Sequence, residues 1–339
     1  MIKLGVNDDW SNLIEKFLNL DIYYSQGYVN LFADVEGGSP EAVYYENEDG
    51  KIFYPFIKRK IDSKEGYFDI ITPYGYGGPV LEGKEKVIEQ FYAQFKEHCL
   101  DNNIITETIR CHPLLKNNEY LKDIMHVDFI RKTTGVDLTP SLEEIRRNYT
   151  SSNKRNIRKA KKEGVKVFVS NDIEDIEIFS DMYYETMDRN NALNFYYFNN
   201  SYFIRQMEET ALFKPYILLA KYDGQIIGGV LILVGTEYAH YHLGASRTEY
   251  LGIRPNNLLF DAMVELSKSF NLKTLHLGGG YQENDSLFKF KASFTNNNYF
   301  NYYMGKNIVN QEIYNELCQI KIDSLFSKGQ SNYFPLYRS

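Results

Sequence analysis

The sequence predicts a mixed α/β (α+β) protein of two tandem domains, each a mixed, mostly antiparallel sheet flanked by helices. Three observations carry this. The 339-residue chain exceeds one ordinary core of about 100–150 residues. The order strand, strand, strand, helix, strand occurs twice, offset by about 170 residues, which reads as one unit used in tandem. Between the two copies a helix-start signal at Ser141 puts the boundary near residue 140, giving domains 1–140 and 141–339.

In the first copy, residues 41–45 and 51–58 flank the turn Asn47-Glu48-Asp49-Gly50, a hairpin signal. A third strand at 67–72 leads through a glycine-bearing loop to an amphipathic helix at 84–99 and a strand at 104–110. Ser141 and Glu144 then form a capping box, in which the hydroxyl and the carboxylate satisfy reciprocal backbone donors. The segment 141–164 that follows has few apolar residues and much charge, and Asn153 with the serines before it could divide it into two helices. In the second copy, strands at 216–221 and 225–234 flank Asp223-Gly224. A strand at 237–243, a helix at 257–270 and a strand at 273–277 complete it.

Composition excludes several classes. No apolar run reaches the roughly 20 residues of a membrane span, and the N-terminal residues lack a signal-peptide core. Cys99, Cys111 and Cys318 have neither metal nor redox spacing and read as reduced thiols, so a cytoplasmic protein is expected. His240 and His242 alternate on one strand, but no carboxylate or thiol joins them in a ligand pattern, so no metal is expected. A net charge of −7 argues against general nucleic-acid binding. Locally, Arg146 to Lys162 holds eight Lys/Arg and no acid. Lys154, Arg155 and Arg158 there could meet phosphates or form a solvated face.

The chemistry concentrates at His276-Leu277-Gly278-Gly279-Gly280, an apolar strand ending in three glycines, followed by Phe288-Lys289-Phe290-Lys291-Ala292-Ser293-Phe294. Glycines permit φ > 0 and close backbone approach to a ligand such as one beside Tyr281. A lysine placed there can stabilise the oxyanion of an acyl transfer, which makes Lys291 the principal candidate. Read alone, the same pattern also fits core phenylalanines with surface lysines. For proton removal, His242 titrates near neutrality, and Glu249, Glu283 and Asp285 flank the site without being singled out by spacing.

These residues resemble the Fem-type branch of the GNAT acyltransferase superfamily, where a Phe-Lys pair, a small residue and a Phe lie at the active site; the match falls on Phe290, Lys291 and Phe294. Three other segments resemble the family in order. They are Tyr74-Gly75-Tyr76-Gly77-Gly78-Pro79, the basic run Asn153–Ala160, and Thr186-x-x-Arg189 ahead of an aromatic run. The repeated element order is that of the GNAT core. The chain also resembles Fem-like proteins of surface-polysaccharide gene sets, including its end, Tyr333-Phe334-Pro335-Leu336-Tyr337-Arg338.

The resemblance implies an acyltransferase with no permanently bound cofactor, whose donor is aminoacyl-tRNA or acyl-CoA and whose acceptor is an amine of a cell-wall or nucleotide-linked saccharide precursor. Lys291 would meet the transferring carbonyl with Phe290 packed beside it. Tyr74, Tyr76 and Arg189, with Lys58 or Arg59, would surround the acceptor. CoA-dependent relatives cradle a pyrophosphate with glycine-rich backbone at a helix N-terminus. The corresponding loop here, Arg247 to Asn257, keeps one glycine, leaving Arg254 and Asn256 as polar candidates and pointing toward a different donor. An acyl-CoA-dependent N-acetyltransferase of an amino sugar, or a silent glycan- or peptide-binding protein, are the competing readings.

Overall fold

A computed structural model describes residues 1–5, 7–324 and 333–339, the side chains of 320–324 excepted. Strand β1 (Ile2–Leu4) and helices α1 (Ser11–Ile14) and α2 (Gln26–Glu36) lead into the hairpin β2 (Gly38–Asn47) and β3 (Gly50–Lys60). Next come β4 (Phe68–Ile71), β5 (Val80–Gly83), α3 (Val87–Asp101), β6 (Ile104–Arg110), α4 (Asn118–Leu121) and β7 (His126–Asp137). Helices α5 (Leu142–Arg147) and α6 (Ser151–Glu163), strand β8 (Lys166–Ser170), and helices α7 (Ile173–Arg189) and α8 (Asn200–Gln206) follow. Strands β9 (Lys214–Tyr222), β10 (Gln225–Val234) and β11 (Tyr238–Ser246) precede α9 (Pro255–Ser269) and β12 (Thr274–Gly278). The chain continues through α10 (Ser286–Ala292), β13 (Tyr299–Ile308) and α11 (Gln311–Ser324). Among the described residues, no helix is long and apolar enough to cross a membrane.

The chain forms two compact units, one of Met1–Ile130 with Asn301–Ser339, the other of Arg131–Phe300. This corrects the expected split at 140. The segment after residue 300 belongs to the first unit, because β13 pairs antiparallel with β6, Met304 opposite Arg110 through Ile308 opposite Thr106. In the second unit β7 takes the equivalent place beside β12, with Thr274 opposite Asp137. Neither β7 nor β13 was legible in the sequence, since their residues are largely half-exposed and mix polar with apolar types.

Within the first unit, β2 and β3 pair antiparallel, β3 pairs with β4, and β4 runs parallel to β6. Helix α3 covers this sheet because Val87, Phe91, Phe95 and Cys99 recur every fourth residue and face inward, with Phe91 and Phe95 stacked at 5.2 Å. The second unit repeats the pattern: β9, β10 and β11 are antiparallel neighbours, and β11 runs parallel to β12. Helix α9 begins with Pro255 in its first turn and buries Leu259, Phe260, Met263, Val264 and Ser267. Fully burying each large apolar side chain of this kind stabilises by about 1.5–3 kcal/mol.

The segment 141–164 does divide. Ser141 and Glu144 form the reciprocal capping box of α5, and after a break at residues 148–150 the Thr150 side chain accepts the Asn153 amide to start α6. That helix ends at Gly164, whose φ of 94° closes it in the left-handed region.

Candidate active site

Strand β11 is antiparallel to β10 until the register shifts between Leu231–Leu243 and Ile232–Tyr241, so His242 is the extra residue of a β-bulge. The parallel pairing of β11 with β12 covers Tyr238–His240 against Thr274–His276, ending just before that bulge. A bulge bends its strand and re-aims the flanking side chains. Here it directs Tyr241 under Lys291, whose ammonium lies 5.0 Å from the ring centroid. Lys291 donates to the Gly279 carbonyl at 2.8 Å, so its side chain spans the place where the two strands part.

The glycine loop shapes this corner. Gly278 turns the chain with φ of 73°. A Cβ on Gly280 would lie 2.0 Å from Oδ1 of Asp285, and one on Gly279 would lie 3.0 Å from the Lys132 carbonyl. Gly279 and Gly280 therefore admit neighbouring protein groups, rather than the ligand expected from the sequence. Asp285 caps α10 by accepting from Phe288 N at 2.7 Å, and it gathers the loop by accepting from Tyr281 N at 2.6 Å and Gln282 N at 3.0 Å. Arg131, absent from the sequence reading, donates to the Gly280 and Tyr281 carbonyls, each at 2.7 Å. No local spacing marks it, because its partners lie about 150 residues away.

Lys291 is buried, and the described residues offer it no ion pair. Burial pushes its pKa down to about 7, an effect opposed by Asp285 and reinforced by Arg131. Lys289 on the same helix is exposed. Phe290 packs edge-on against Phe260 at 4.9 Å, and Phe260 lies 5.0 Å from Tyr241, so Phe290 supports the floor below Lys291 from the side. Tyr281 is exposed and meets Tyr196 edge-on at 6.3 Å.

His242 does not suit the role of base. Burial, then the neighbouring His240, lowers its pKa to about 3, and its Nε2 shares a hydrogen bond of 2.6 Å with the Tyr202 hydroxyl. It is neutral near pH 7, and its conjugate acid is too strong to hold a proton from an ammonium.

The loop from Arg247 to Asn257 is a 3₁₀ turn (Thr248–Ile253), followed by Arg254 in the left-handed region at φ of 65° and then α9. Its entry is already held by α7. Glu185 accepts the Thr248 amide at 2.7 Å and pairs with Arg247 at 3.1 Å. Arg189, expected at the acceptor, donates instead to the Ser246 carbonyl at 3.0 Å and the Thr248 hydroxyl at 2.7 Å. Its partner in the motif, Thr186, accepts the Ser246 amide at 3.0 Å. The Thr-x-x-Arg element thus fixes the end of β11. Arg254 is exposed, and among the described residues the Asn256 side chain reaches only the Ser246 hydroxyl, at 3.5 Å.

Helix α6 turns its basic face outward. Arg155 and Arg158 are exposed, Lys154 is half-buried and donates to the Arg147 carbonyl at 2.5 Å, and no carboxylate pairs with these three among the described residues. The helix is tied to the site from its buried side. Asn153 accepts from Asn257 at 2.8 Å and donates to the Ser293 carbonyl at 3.4 Å, joining α6 to the start of α9 and the end of α10.

In the first unit, Tyr74 and Tyr76 are half-buried and packed. The Tyr74 carbonyl accepts the Tyr28 hydroxyl at 2.9 Å and its ring stacks on Phe32 at 5.5 Å, while Tyr76 packs edge-on to Tyr23 at 5.4 Å and Tyr302 at 5.5 Å. Lys58 and Arg59 are engaged by acids, Lys58 with Glu41 at 3.6 Å and Arg59 with Glu36 at 3.2 Å and Asp69 at 2.9 Å.

Residues 147–291 match a family model described as an acetyltransferase (GNAT) domain, and that match ends at Lys291. Among solved structures, FemX superposes with a TM-score of 0.68 at 16% identity, covering 93% of this chain and 99% of that one. A protein named L-PGS from Bacillus licheniformis gives 0.57 at 13% identity, over 94% of this chain and 96% of that one. The C-terminal domain of a putative lysylphosphatidylglycerol synthetase from Agrobacterium fabrum gives 0.56 at 14%, over 89% and 91%. No curated protein sequence matches the chain. The fold is thus the Fem-like form of the GNAT architecture.

Proposed function

We propose that the chain is an N-acyltransferase that moves an aminoacyl group from aminoacyl-tRNA to an amine of a cell-wall or surface-glycan precursor in the cytoplasm. The observation that carries this reading is Lys291, buried with no ion pair among the described residues across the parting of β11 and β12, in the segment that matches the GNAT domain. In the reaction the acceptor amine attacks the ester carbonyl, forming the C–N bond. Charge develops on the carbonyl oxygen, and as the bond to the ribose oxygen breaks that oxygen takes up the proton the amine nitrogen loses, leaving an amide and a free ribose hydroxyl. Protonated Lys291 supplies positive charge to that oxygen in a site shielded from water, where such a donor contributes on the order of 10²–10³ in rate.

Two features favour a tRNA donor. The amide of Thr248, at the loop where a CoA pyrophosphate would sit, already carries the Glu185 carboxylate, which repels a further anion. The basic face of α6 suits a phosphate backbone, and Asn153 fastens that helix to the Lys291 helix. FemX and the putative lysylphosphatidylglycerol synthetase, as named, are consistent with aminoacyl chemistry on this fold. The GNAT domain match supports a second reading, an acyl-CoA-dependent N-acetyltransferase of an amino sugar.

The test is incubation with a mixed charged-tRNA pool, acyl-CoA compounds and amine-bearing nucleotide-linked saccharide precursors, with products read by mass. A product bearing an amino acid, formed from charged tRNA, is expected. One that appears with acyl-CoA alone favours the second reading. Absence of any Lys291-dependent product would leave a binding protein with this fold.

A further inference from the structure

The second unit holds a groove of about 560 Å³ that the acyl-transfer chemistry does not use. It lies at the Thr274 end of β12, about 13 Å along the strand from Gly278 at roughly 3.3 Å per residue, and its Phe294 follows Lys291 by one helical turn, the Phe294 amide donating to the Lys291 carbonyl at 3.1 Å. Its base is apolar, with Ile145 and Phe294 buried beneath it and Phe300 half-buried. Its rim is polar and, among the described residues, contains no lysine or arginine.

The groove is firmly built. Asn296 and Asn297 both adopt positive φ, 51° and 60°, which folds the chain back toward β7. There the Thr134 and Thr295 hydroxyls meet at 2.6 Å and Asn298 donates to the Gly135 carbonyl at 3.0 Å. Gly135 must be bare, because a Cβ would lie 3.0 Å from the Leu275 carbonyl and 3.2 Å from the Phe300 ring. Yet the rim's polar groups are left open. Asp137 accepts from the Thr139 amide and hydroxyl through one carboxylate oxygen, and the other has no hydrogen-bond partner among the described residues. The side chains of Asn148, Asn296 and Thr274 have no hydrogen-bond partner among the described residues.

We propose that this groove is a second ligand site, for a neutral saccharide. Carboxylate, carboxamides and a hydroxyl offer the paired donors and acceptors that vicinal sugar hydroxyls need, while the half-buried Phe300 ring meets the C–H face. The Asp137 charge and the lack of a cation disfavour phosphates and other anions. The volume falls within the roughly 300–1,000 Å³ of small-molecule sites.

The test is ligand-observed NMR and calorimetry on the full chain with cellobiose and N,N′-diacetylchitobiose, with glucose 6-phosphate and putrescine as charged controls. Neutral disaccharides are expected to bind with a Kd in the roughly millimolar range, weakened about tenfold by Asn148→Ala or Asn296→Gly. Asn148 and Asn296 are exposed, and glycine keeps the positive φ, so neither change threatens the fold. Lys291→Met should bind these sugars as the parent does. The proposal is overturned by absence of disaccharide binding, by tighter binding of either charged control, or by sugar binding that Lys291→Met abolishes and the groove variants leave intact. That last result would place the sugar at the transfer site, and none of the three bears on whether acyl transfer occurs.

Discussion

At the scale of single residues, Lys291 is a destabilising choice, a buried lysine whose charged form loses solvation. An ordinary lysine titrates at 10.5, while burial brings this one to about 7. Between those values the unfolded chain holds a proton that the folded chain has released, so Lys291 makes stability rise with pH from about 7 to 10.5. Lys291→Met should therefore fold well, melt higher at neutral pH than the parent, and lose that slope, which calorimetry across the pH range will check. Its turnover should fall roughly 10²–10³-fold, about 3–4 kcal/mol, with substrate binding much less changed. Lys289→Met, at an exposed position, should cost little. Because the cation is the proposed active form, kcat/KM corrected for the acceptor amine's ionisation should decline as pH rises through about 7. An increase there would assign Lys291 the proton-removing role instead. The glycine-lysine motif was legible because its residues are contiguous, and the bulge at His242 was not, since a bulge is a mismatch between two strands that neither strand records. Arg131 was hidden for a related reason, as only the fold brings it to the Gly280 and Tyr281 carbonyls.

At the scale of elements, the repeated strands and helices were legible in the amino-acid sequence, because turn residues and the helical recurrence of Phe91, Phe95 and Cys99 are local signals. The roles of side chains whose partners are distant were not. Arg189 was expected beside the acceptor, yet α7 uses it with Glu185 to hold the β11 end and the loop after it. Helix α6 is the contrary case, since an exposed basic face with a polar tie beneath it gives the helix a reason to carry charge. Replacing Lys154, Arg155 and Arg158 together with Gln should weaken tRNA binding and flatten its salt dependence, by as much as about 0.9 in log–log slope for each phosphate contact removed. Thermal stability should barely move, because exposed charges contribute little. Filter binding at several salt concentrations measures this, and an unchanged slope would return α6 to a solvated face.

At the scale of the whole chain, the first unit is closed by residues from both ends of the sequence. Asp69 is buried and receives the Tyr337 hydroxyl at 3.2 Å together with Arg338, so the last residues complete a network begun by Arg59. Glu107 on β6 performs a similar closure with β13, accepting from Asn307 at 3.0 Å while its other oxygen accepts the Tyr92 hydroxyl at 3.0 Å. Glu107 is fully buried, and desolvation raises its pKa from 4.5 to about 7 against the opposing hydrogen bonds. The sign is then fixed. Between those values the unfolded chain has released a proton that the folded chain retains, so stability falls as pH rises from about 4.5 to 7 and the cost persists above it. At about 1.36 kcal/mol per pKa unit, that cost is on the order of 3 kcal/mol. Glu107→Gln removes the ionisation, keeps an acceptor for Tyr92, and lets Asn307 turn its amide to present oxygen. The variant should melt several degrees higher than the parent at pH 7.5 and above, with the difference shrinking as pH falls toward 4.5. A variant that melts lower at every pH would mean that the Glu107 carboxylate is a net support of the β6–β13 pairing, and that the return of the chain's end to the first unit depends on its charge.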